Sequence, residues 1–254
     1  MDQNLYQAIF KRKSFHLFRN LVEEHLNEED ILDIENAFKS FKSLNEDIKV
    51  AIRIVPEKET TCRRGGEYCV LLYSEKKDGY LQNIGYLGEQ LDLYLVNKNI
   101  GTLWFGIGRV KEKTYNDLDY VIMFCIRKIS DETKYRKDMY KSKRFPLNEI
   151  WNGGTIEGVS NVVRFAPSAC NSQPWLVKKE DIKLEIYRYK KPGRVGIMPS
   201  FLVGYYNRID IGIFMCFLEL CLEHEHYEFE KELFSDSGET KGMILNATYK
   251  LKKS

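Results

Sequence analysis

A short polar loop between two prolines carries the side chains best suited to bind a ligand. Pro167 and Pro174 cannot donate a backbone hydrogen bond, and each biases the residue before it toward extended geometry, so this stretch cannot continue a helix. Between the prolines lie the hydroxyls of Ser168 and Ser172 and the carboxamide of Asn171. These groups can hydrogen bond to the carbonyls and ring nitrogens of a planar heteroaromatic ligand.

A structural role for the same loop remains open. Ser168 or Asn171 could cap a helix, and Trp175 could fill the core. Cys170 lies inside the loop, but no histidine adjoins it in the sequence, so we interpret it as a small packing residue rather than a nucleophile.

A second candidate site is the basic segment that follows a short N-terminal helix, predicted over residues 3–10. Arg12 offers a forked donor, Lys13 a point charge and Ser14 a hydroxyl, and His16 follows two residues later. This combination suits a phosphate group. The alternative is a solvated basic helix face.

Composition limits the classes of function. The chain has 254 residues, of which 43% are hydrophobic and 30% are charged, which is enough for a substantial core. A net charge of +2 does not indicate a nucleic-acid or membrane partner, and we expect a cytoplasmic protein because the N-terminus lacks the apolar core of a signal peptide. The six cysteines include no C-x-x-C pair, so neither a disulfide framework nor a metal site is predicted.

Hydrophobic patterning predicts an α+β protein around these two segments. Strands are predicted over residues 48–55, 67–73, 119–129 and 182–190, with a final strand in the tail at 243–254. Helices are predicted over residues 19–44, 80–99 and 209–222. A glycine-containing stretch at residues 100–108 would let the backbone approach a ligand closely, or form a tight connection between a helix and a strand.

The proline-bracketed loop resembles a known signature. Residues 166–175, APSACNSQPW, match the APSxxNxQPW pattern of the nitroreductase-like flavoproteins, in which this loop holds the isoalloxazine and ribityl chain of FMN. The resemblance implies a set of FMN-binding residues in this chain: Pro167, Ser168, Ala169, Asn171 and Gln173.

Three further segments are similar to motifs of that family and imply the remaining FMN ligands. The family's R-R-S-x-R-x-F pattern corresponds to Arg12, Lys13, Ser14, His16 and Phe18, with Lys13 and His16 standing where arginines are usual. The family's G-L-G-T-x-W-x-G segment, which lies against the flavin near N5, corresponds to Leu103, Trp104, Phe105 and Gly106. The family's K-x-R-x-P-L-x-E-I segment implies that Lys143 and Arg144 reach the phosphate.

The order of these segments differs from the ordinary family. There the flavin loop precedes the long core helix, whereas here it follows, and a strand followed by a long helix occurs twice. We interpret the chain as a divergent internal duplication, with halves at residues 1–150 and 151–254. We therefore expect a nitroreductase-like fold whose antiparallel or mixed sheets pack with helices, and whose two halves form a pseudo-dimer that needs no second chain.

The resemblance also implies a reaction. NADH or NADPH would reduce FMN at N5, and the reduced flavin would then pass its electrons to a nitroaromatic, quinone or similar small acceptor in a ping-pong cycle. Two alternatives remain open. One is a flavin-binding module without turnover, and the other is a structural paralogue that has lost FMN.

The duplication predicts how much cofactor one chain binds. The basic-basic-serine motif occurs only in the first half and the APSxxN loop only in the second, so a single chain has one complete set of FMN ligands. We expect one FMN per chain when flavin absorbance is compared with protein concentration. Two FMN per chain would contradict the prediction.

Overall fold

The chain divides into two compact units. The computed structural model describes residues 3–19, 21, 24–189, 198–239 and 242–253. Within this part, the first unit contains the chain up to Tyr80 together with Leu87–Met139, and the second unit contains Leu81–Tyr86 together with the chain from Tyr140 onward. The division at residue 150 remains a prediction.

An antiparallel sheet forms the centre of the first unit. Its strands are β1 (Val50–Pro56), β2 (Tyr68–Ser74), β3 (Ile100–Trp104), β4 (Thr114–Tyr115) and β5 (Leu118–Lys128). The strands pair in the order β1-β2-β5-β3, and the short β4 also pairs with β5. In β2 every residue from Cys69 to Ser74 is buried, which fits the continuous apolar run that predicted this strand.

Helices complete the first unit: α1 (Gln3–Lys11), α2 (Glu28–Ser40) and α3 (Tyr80–Asn97), of which α3 contributes residues to both units. The sequence predicts a helical region over residues 19–44, but α2 is shorter. A capping box sets its start, since the Asp30 amide donates to Asn27 Oδ1 (2.8 Å) and the Asn27 amide donates to Asp30 Oδ2 (3.2 Å). Residues 20, 22 and 23 of the predicted region lie outside the described residues.

A second five-stranded sheet forms the centre of the second unit. The elements of this unit are α4 (Leu147–Ile150), β6 (Trp151–Asn152), α5 (Ser160–Val163), β7 (Trp175–Glu180), β8 (Lys183–Tyr189), α6 (Ser200–His224), β9 (Tyr227–Leu233) and β10 (Met243–Lys253). The strands pair in the order β6-β7-β8-β10-β9, with β6 parallel to β7 and the other pairs antiparallel. The prediction of an α+β fold with antiparallel or mixed sheets is thus confirmed.

The two sheets share a strand order. In the first unit, two strands (β1 and β2) precede a long helix (α3), and two strands (β3 and β5) follow it. In the second unit, β7 and β8 precede α6, and β9 and β10 follow it. Leaving aside the short β4 and β6, both sets pair in the order first, second, fourth, third.

Helix α6 is the core helix of the second unit. Its length and composition would allow it to cross a membrane, but 72% of the 18-residue window that meets this criterion is buried inside the structure. Its buried Glu219 accepts hydrogen bonds from the hydroxyls of Tyr86 and Tyr249 (both 2.7 Å) and from Lys231 Nζ (2.9 Å). These donors compensate a carboxylate that is withdrawn from water.

Two glycines bring α3 and α6 into close contact within the second unit. A Cβ atom at Gly85 would overlap the carbonyl oxygen of Ile209, and one at Gly212 would overlap the carbonyl oxygen of Gln82. The contact is therefore made by backbone against backbone, with no flexible side chain that could move aside.

This contact predicts the effect of added methyl groups. We expect Gly85→Ala or Gly212→Ala to lower the free energy of unfolding by about 1–3 kcal/mol, even though alanine gains about 1 kcal/mol in helix propensity. Urea denaturation measures the change. Gly154→Ala is the control, because the nearest atom to its new Cβ would be Lys179 Nζ at 3.8 Å. Equal stability of all three variants would contradict the close contact.

Candidate functional site

The proline-bracketed loop connects α5 to β7 in the second unit. Its centre is a 3-10 turn over Ala169–Asn171. Three non-glycine residues near this turn have left-handed backbone conformations, with φ of 52° at Cys170, 54° at Asn171 and 46° at Gln173. Such conformations are costly outside glycine and persist only where the surroundings hold them, often at functional sites.

A buried carboxylate on α6 holds the turn. Asp210 Oδ1 accepts a hydrogen bond from the Ala169 amide (2.9 Å), and Asp210 Oδ2 accepts one from the Ser172 hydroxyl (3.3 Å). Asp210 is only 2% exposed. Burial raises the pKa of Asp210 to about 7, against the lowering effect of the hydrogen bonds from Ala169 and Ser172.

The loop is joined to the basic segment at residues 143–145. Arg144 Nη1 donates to Asn171 Oδ1 (2.9 Å), and Arg144 Nη2 donates to the carbonyl oxygen of Phe165 (3.0 Å). The Phe145 amide donates to Gln173 Oε1 (2.8 Å). The structure therefore brings together two segments that the sequence assigned to the same ligand from separate motifs.

Two side chains of the loop also hydrogen bond to its backbone. Ser168 Oγ accepts from the Gln173 amide (2.9 Å), and Gln173 Nε2 donates to the carbonyl oxygen of Asn171 (3.3 Å). Gln173 is buried, so its carboxamide supports the loop from within. Pro167, Ser168 and Ala169 are half-buried and retain contact with solvent.

Trp175 belongs to the core rather than to the open side of the loop. It is 1% exposed and stacks on Phe214 of α6, with ring centroids 4.9 Å apart. The alternative in which Trp175 fills the core is therefore correct for this residue.

Basic residues lie next to the loop. Lys143 is exposed, and Arg164 is half-buried with its guanidinium 4.3 Å from the centre of the Phe165 ring. Arg164 Nη1 donates to the carbonyl oxygen of Phe145 (3.2 Å), and burial lowers the pKa of Arg164. Together with Arg144, these side chains give the loop a positive rim that suits an anionic ligand.

The N-terminal motif lies in the first unit and is organised by Asp92 of α3. Arg12 is 4% exposed, and its Nε and Nη2 lie 2.7 Å from Asp92 Oδ2. Asp92 also accepts hydrogen bonds from the Thr102 hydroxyl and from Trp104 Nε1 (3.0 Å). One carboxylate thus joins the end of α1 to strand β3.

Glu89 lies beside the same arginine. Its Oε1 is 3.3 Å from Arg12 Nε, and the residue is fully buried. Burial raises the pKa of Glu89 well above its usual range, and this effect exceeds the lowering by Arg12. The buried arginine is therefore compensated mainly by Asp92.

The other predicted residues of the first unit divide into exposed and buried groups. Lys13 and His16 are exposed, and Lys13 Nζ donates to the carbonyl oxygen of Lys134 (2.8 Å). Ser14 forms a parallel bridge with Thr102, which places it beside β3. Leu103 and Phe105 are buried, whereas Trp104 and Gly106 are half-buried.

Sequence reasoning missed the carboxylates that position both sets of residues. From the sequence alone, Asp210 is expected only to serve its helix and the interfaces of that helix, and nothing distinguishes Glu89 and Asp92. A signal was present, because all three are acidic residues within predominantly apolar core helices, where an ionisable side chain requires a partner.

The raised pKa of Asp210 predicts a dependence of stability on pH. The unfolded carboxyl ionises near pH 4, whereas the folded one keeps its proton up to about pH 7. Between these values the folded state binds more protons, so this group lowers the free energy of unfolding as pH rises, by an amount on the order of 2–4 kcal/mol. We expect Asp210→Asn to remove that loss while retaining an acceptor for the Ala169 amide.

Urea denaturation at several values between pH 5 and pH 8 tests this expectation. Glu157→Gln is the control, because Glu157 is an exposed carboxylate of the same unit. The assignment fails if the Asp210→Asn variant loses stability with rising pH as steeply as the unchanged protein.

Comparison with known proteins shows which family model and which solved structures the chain resembles. The family model described as "Putative TM nitroreductase" matches residues 4–222. No curated protein is significantly similar to the chain in sequence. A crystal structure of a putative nitroreductase from Thermotoga maritima MSB8 is similar to the chain with a TM-score of 0.61 and 21% identity, covering 98% of this chain and 93% of that one. This likeness shows a shared fold.

Two other solved structures are less similar. A nitroreductase family protein from Clostridium novyi NT has a TM-score of 0.40 and 16% identity, covering 53% of this chain and 88% of that one. A nitroreductase family protein from Clostridium difficile 630 has a TM-score of 0.46 and 13% identity, covering 61% of this chain and all of that one (100%). Because the family model spans most of its length, the chain belongs to the nitroreductase family described as "Putative TM nitroreductase".

Proposed function

We propose that this protein is an FMN-dependent oxidoreductase that transfers electrons from NADH or NADPH to a small acceptor such as a nitroaromatic compound or a quinone. Nitroreductases generally use FMN, and the family model covers the segments that resemble FMN-binding motifs. The observation that most supports the proposal is the joining of residues 143–145 to the proline-bracketed loop through Arg144, Asn171 and Gln173.

The residues of the second unit fit a cofactor that has both a phosphate and a flat polar ring system. Lys143, Arg144 and Arg164 provide positive charge, and arginine can bind a phosphate through two parallel hydrogen bonds. Ser168 accepts one internal hydrogen bond through its oxygen, so its hydroxyl proton can still be donated. The loop backbone is already held in its uncommon conformation, which reduces the ordering that binding requires.

The candidate cofactor ligands of the first unit have different roles. Lys13 and His16 are exposed and Ser14 is half-buried, so we assign direct cofactor contacts to these three residues. The Nε and Nη2 atoms of Arg12 are engaged by Asp92, so we assign Arg12 a positioning role. It fixes the chain just before Lys13 and Ser14.

FMN itself would supply the redox chemistry, because its N5 accepts a hydride and its reduced ring donates electrons to the acceptor. The side chains would bind and orient the cofactor. Leu103 and Phe105 are buried and can only shape the backbone of β3 and the turn after it, whereas Trp104 and Gly106 remain partly accessible.

We further propose that the chain is a fused pseudo-dimer that binds one FMN and functions without a second copy. The shared strand order of the two sheets supports an internal duplication, since both units place a long helix between two pairs of antiparallel strands. The ligands have diverged between the copies. The basic motif belongs to the first unit and the polar loop to the second.

Absorbance spectroscopy tests the function. We expect purified protein to be yellow and to bleach when NADH or NADPH is added without oxygen, with colour returning on addition of a quinone or nitroaromatic acceptor. Yellow protein that does not bleach would instead indicate a flavin-binding module without turnover. Colourless protein that takes up no added FMN would indicate a structural paralogue.

A substitution at Arg144 tests the assigned ligands. Arg144→Ala removes charge-assisted hydrogen bonds worth about 1.5–3 kcal/mol each, so we expect the Kd for FMN to rise roughly 10–100-fold. Flavin fluorescence titration measures the change. Lys250→Ala is the matched control, because Lys250 is an exposed cation on β10 of the same unit. Equal affinities of the two variants would exclude Arg144 from the cofactor site.

A further inference from the structure

Three buried cysteines meet in the first unit. Cys69 of β2 and Cys125 of β5 are directly opposite each other in the antiparallel pair, and Cys62 lies in the connection before β2. All three have 0% exposure, and their sulfur atoms lie within 4.8 Å of one another. Cys125 is far from Cys62 and Cys69 in sequence, so the spacing of the three cysteines gave no indication of a site.

A carboxylate contacts this cluster. The Cys125 thiol donates to Glu57 Oε1 across 3.4 Å. The same oxygen accepts hydrogen bonds from the Arg64 amide (2.7 Å) and the Gly66 amide (3.3 Å), which fix its position. Cysteines that merely fill a core need no carboxylate beside them, whereas a carboxylate oxygen next to thiols can act as a further metal ligand.

The surrounding backbone leaves room for the sulfur atoms. A Cβ atom at Gly66 would overlap Cys125 Sγ, so a larger residue there would displace the thiol. The Cys62 amide donates to Thr60 Oγ1 (3.0 Å), and Thr60 Oγ1 lies 3.5 Å from Cys69 Sγ. These contacts hold Cys62 and Cys69 on the same side of the sheet.

We infer that Cys62, Cys69, Cys125 and Glu57 form a tetrahedral binding site for Zn²⁺. Zinc–sulfur bonds of about 2.3 Å and zinc–oxygen bonds of about 2.0 Å place tetrahedral ligands roughly 3.8 Å apart for two sulfurs and 3.5 Å apart for sulfur and oxygen. The Cys125–Glu57 distance of 3.4 Å already matches, and the sulfur atoms need to move by no more than about 1 Å from a separation within 4.8 Å.

Nearby arginines can offset the charge of such a site. Three thiolates and one carboxylate around Zn²⁺ leave a net charge of −2. Arg127 Nη1 donates to the carbonyl oxygen of Gly65 (3.1 Å), beside the amides that bind Glu57, and Arg127 Nε is buried without a hydrogen-bond partner among the described residues. Arg63 Nη1 donates to the carbonyl oxygens of Thr60 and Cys62. Arg63 therefore lies in the connection that contributes Cys62, and Arg127 of β5 contacts the same connection at Gly65.

Metal analysis and cobalt substitution test the inference. The full-length protein, purified under reducing conditions without chelator, is expected to contain one Zn²⁺ per chain. After the metal is removed, Co²⁺ is expected to produce the ligand-field and thiolate charge-transfer bands of a tetrahedral site, and one equivalent of Zn²⁺ is expected to abolish them.

Variants separate binding from folding. Cys62→Ser is expected to abolish the charge-transfer bands. Glu57→Gln is expected to weaken Zn²⁺ binding about 10–100-fold. Its amide oxygen can still accept hydrogen bonds from the Arg64 and Gly66 amides, so circular dichroism is expected to show an unchanged fold. Cys221→Ala, which alters a buried cysteine of α6, is expected to bind one equivalent.

Several results would overturn the site. One is the absence of Zn²⁺ and Co²⁺ binding by the folded, reduced protein. Another is a set of cobalt bands that survives Cys62→Ser, and a third is an affinity for Zn²⁺ that Glu57→Gln leaves unchanged. Mass spectrometry that finds Cys69 and Cys125 joined as a disulfide, with the loss of two hydrogens, in protein purified under reducing conditions would also exclude it.

Discussion

Burial of carboxylates on the core helices is the constraint on which both sets of candidate ligands depend. A carboxylate inside a protein needs donors close to its oxygens, because it has lost those of water. Asp92 obtains them from Arg12, Thr102 and Trp104, and in doing so joins the end of α1 to β3. Asp210 obtains them from the Ala169 amide and the Ser172 hydroxyl of the polar loop, and these hydrogen bonds hold the loop in its conformation.

The two carboxylates differ in the charge they face. Asp92 lies against a buried guanidinium, whereas Asp210 is bound by an amide and a hydroxyl, both of which are neutral. Neutral hydrogen-bond donors stabilise an ionised carboxylate less than a neighbouring cation does. Burial therefore has the larger effect on Asp210 and raises its pKa. The N-terminal motif is thus held by the Arg12–Asp92 ion pair, whereas the loop is held by Asp210, whose pKa is about 7.

Structural elements could be predicted from the sequence where their residue pattern has a single physical explanation. The apolar runs of β2, α3 and α6 predicted buried elements because little else can bury so many apolar side chains together. Strand β9 was not predicted, although acidic and aromatic residues alternate at its start, because it is a charge-rich strand at the edge of its sheet with few apolar side chains. The loop was recognised through its prolines and polar residues, but Asp210 lies far along the chain, and the hydrogen bonds it accepts exist only in the folded protein.

Helix α3 has a consequence for how the chain can be divided. Its first turns, Leu81–Tyr86, belong to the second unit although they precede that unit's remaining residues by more than fifty positions in sequence. A fragment beginning at Tyr140 would lack the Gln82 and Tyr86 side chains that bind Asn246 and Glu219. The core of the second unit therefore includes a segment that is translated more than fifty residues before the rest of that unit.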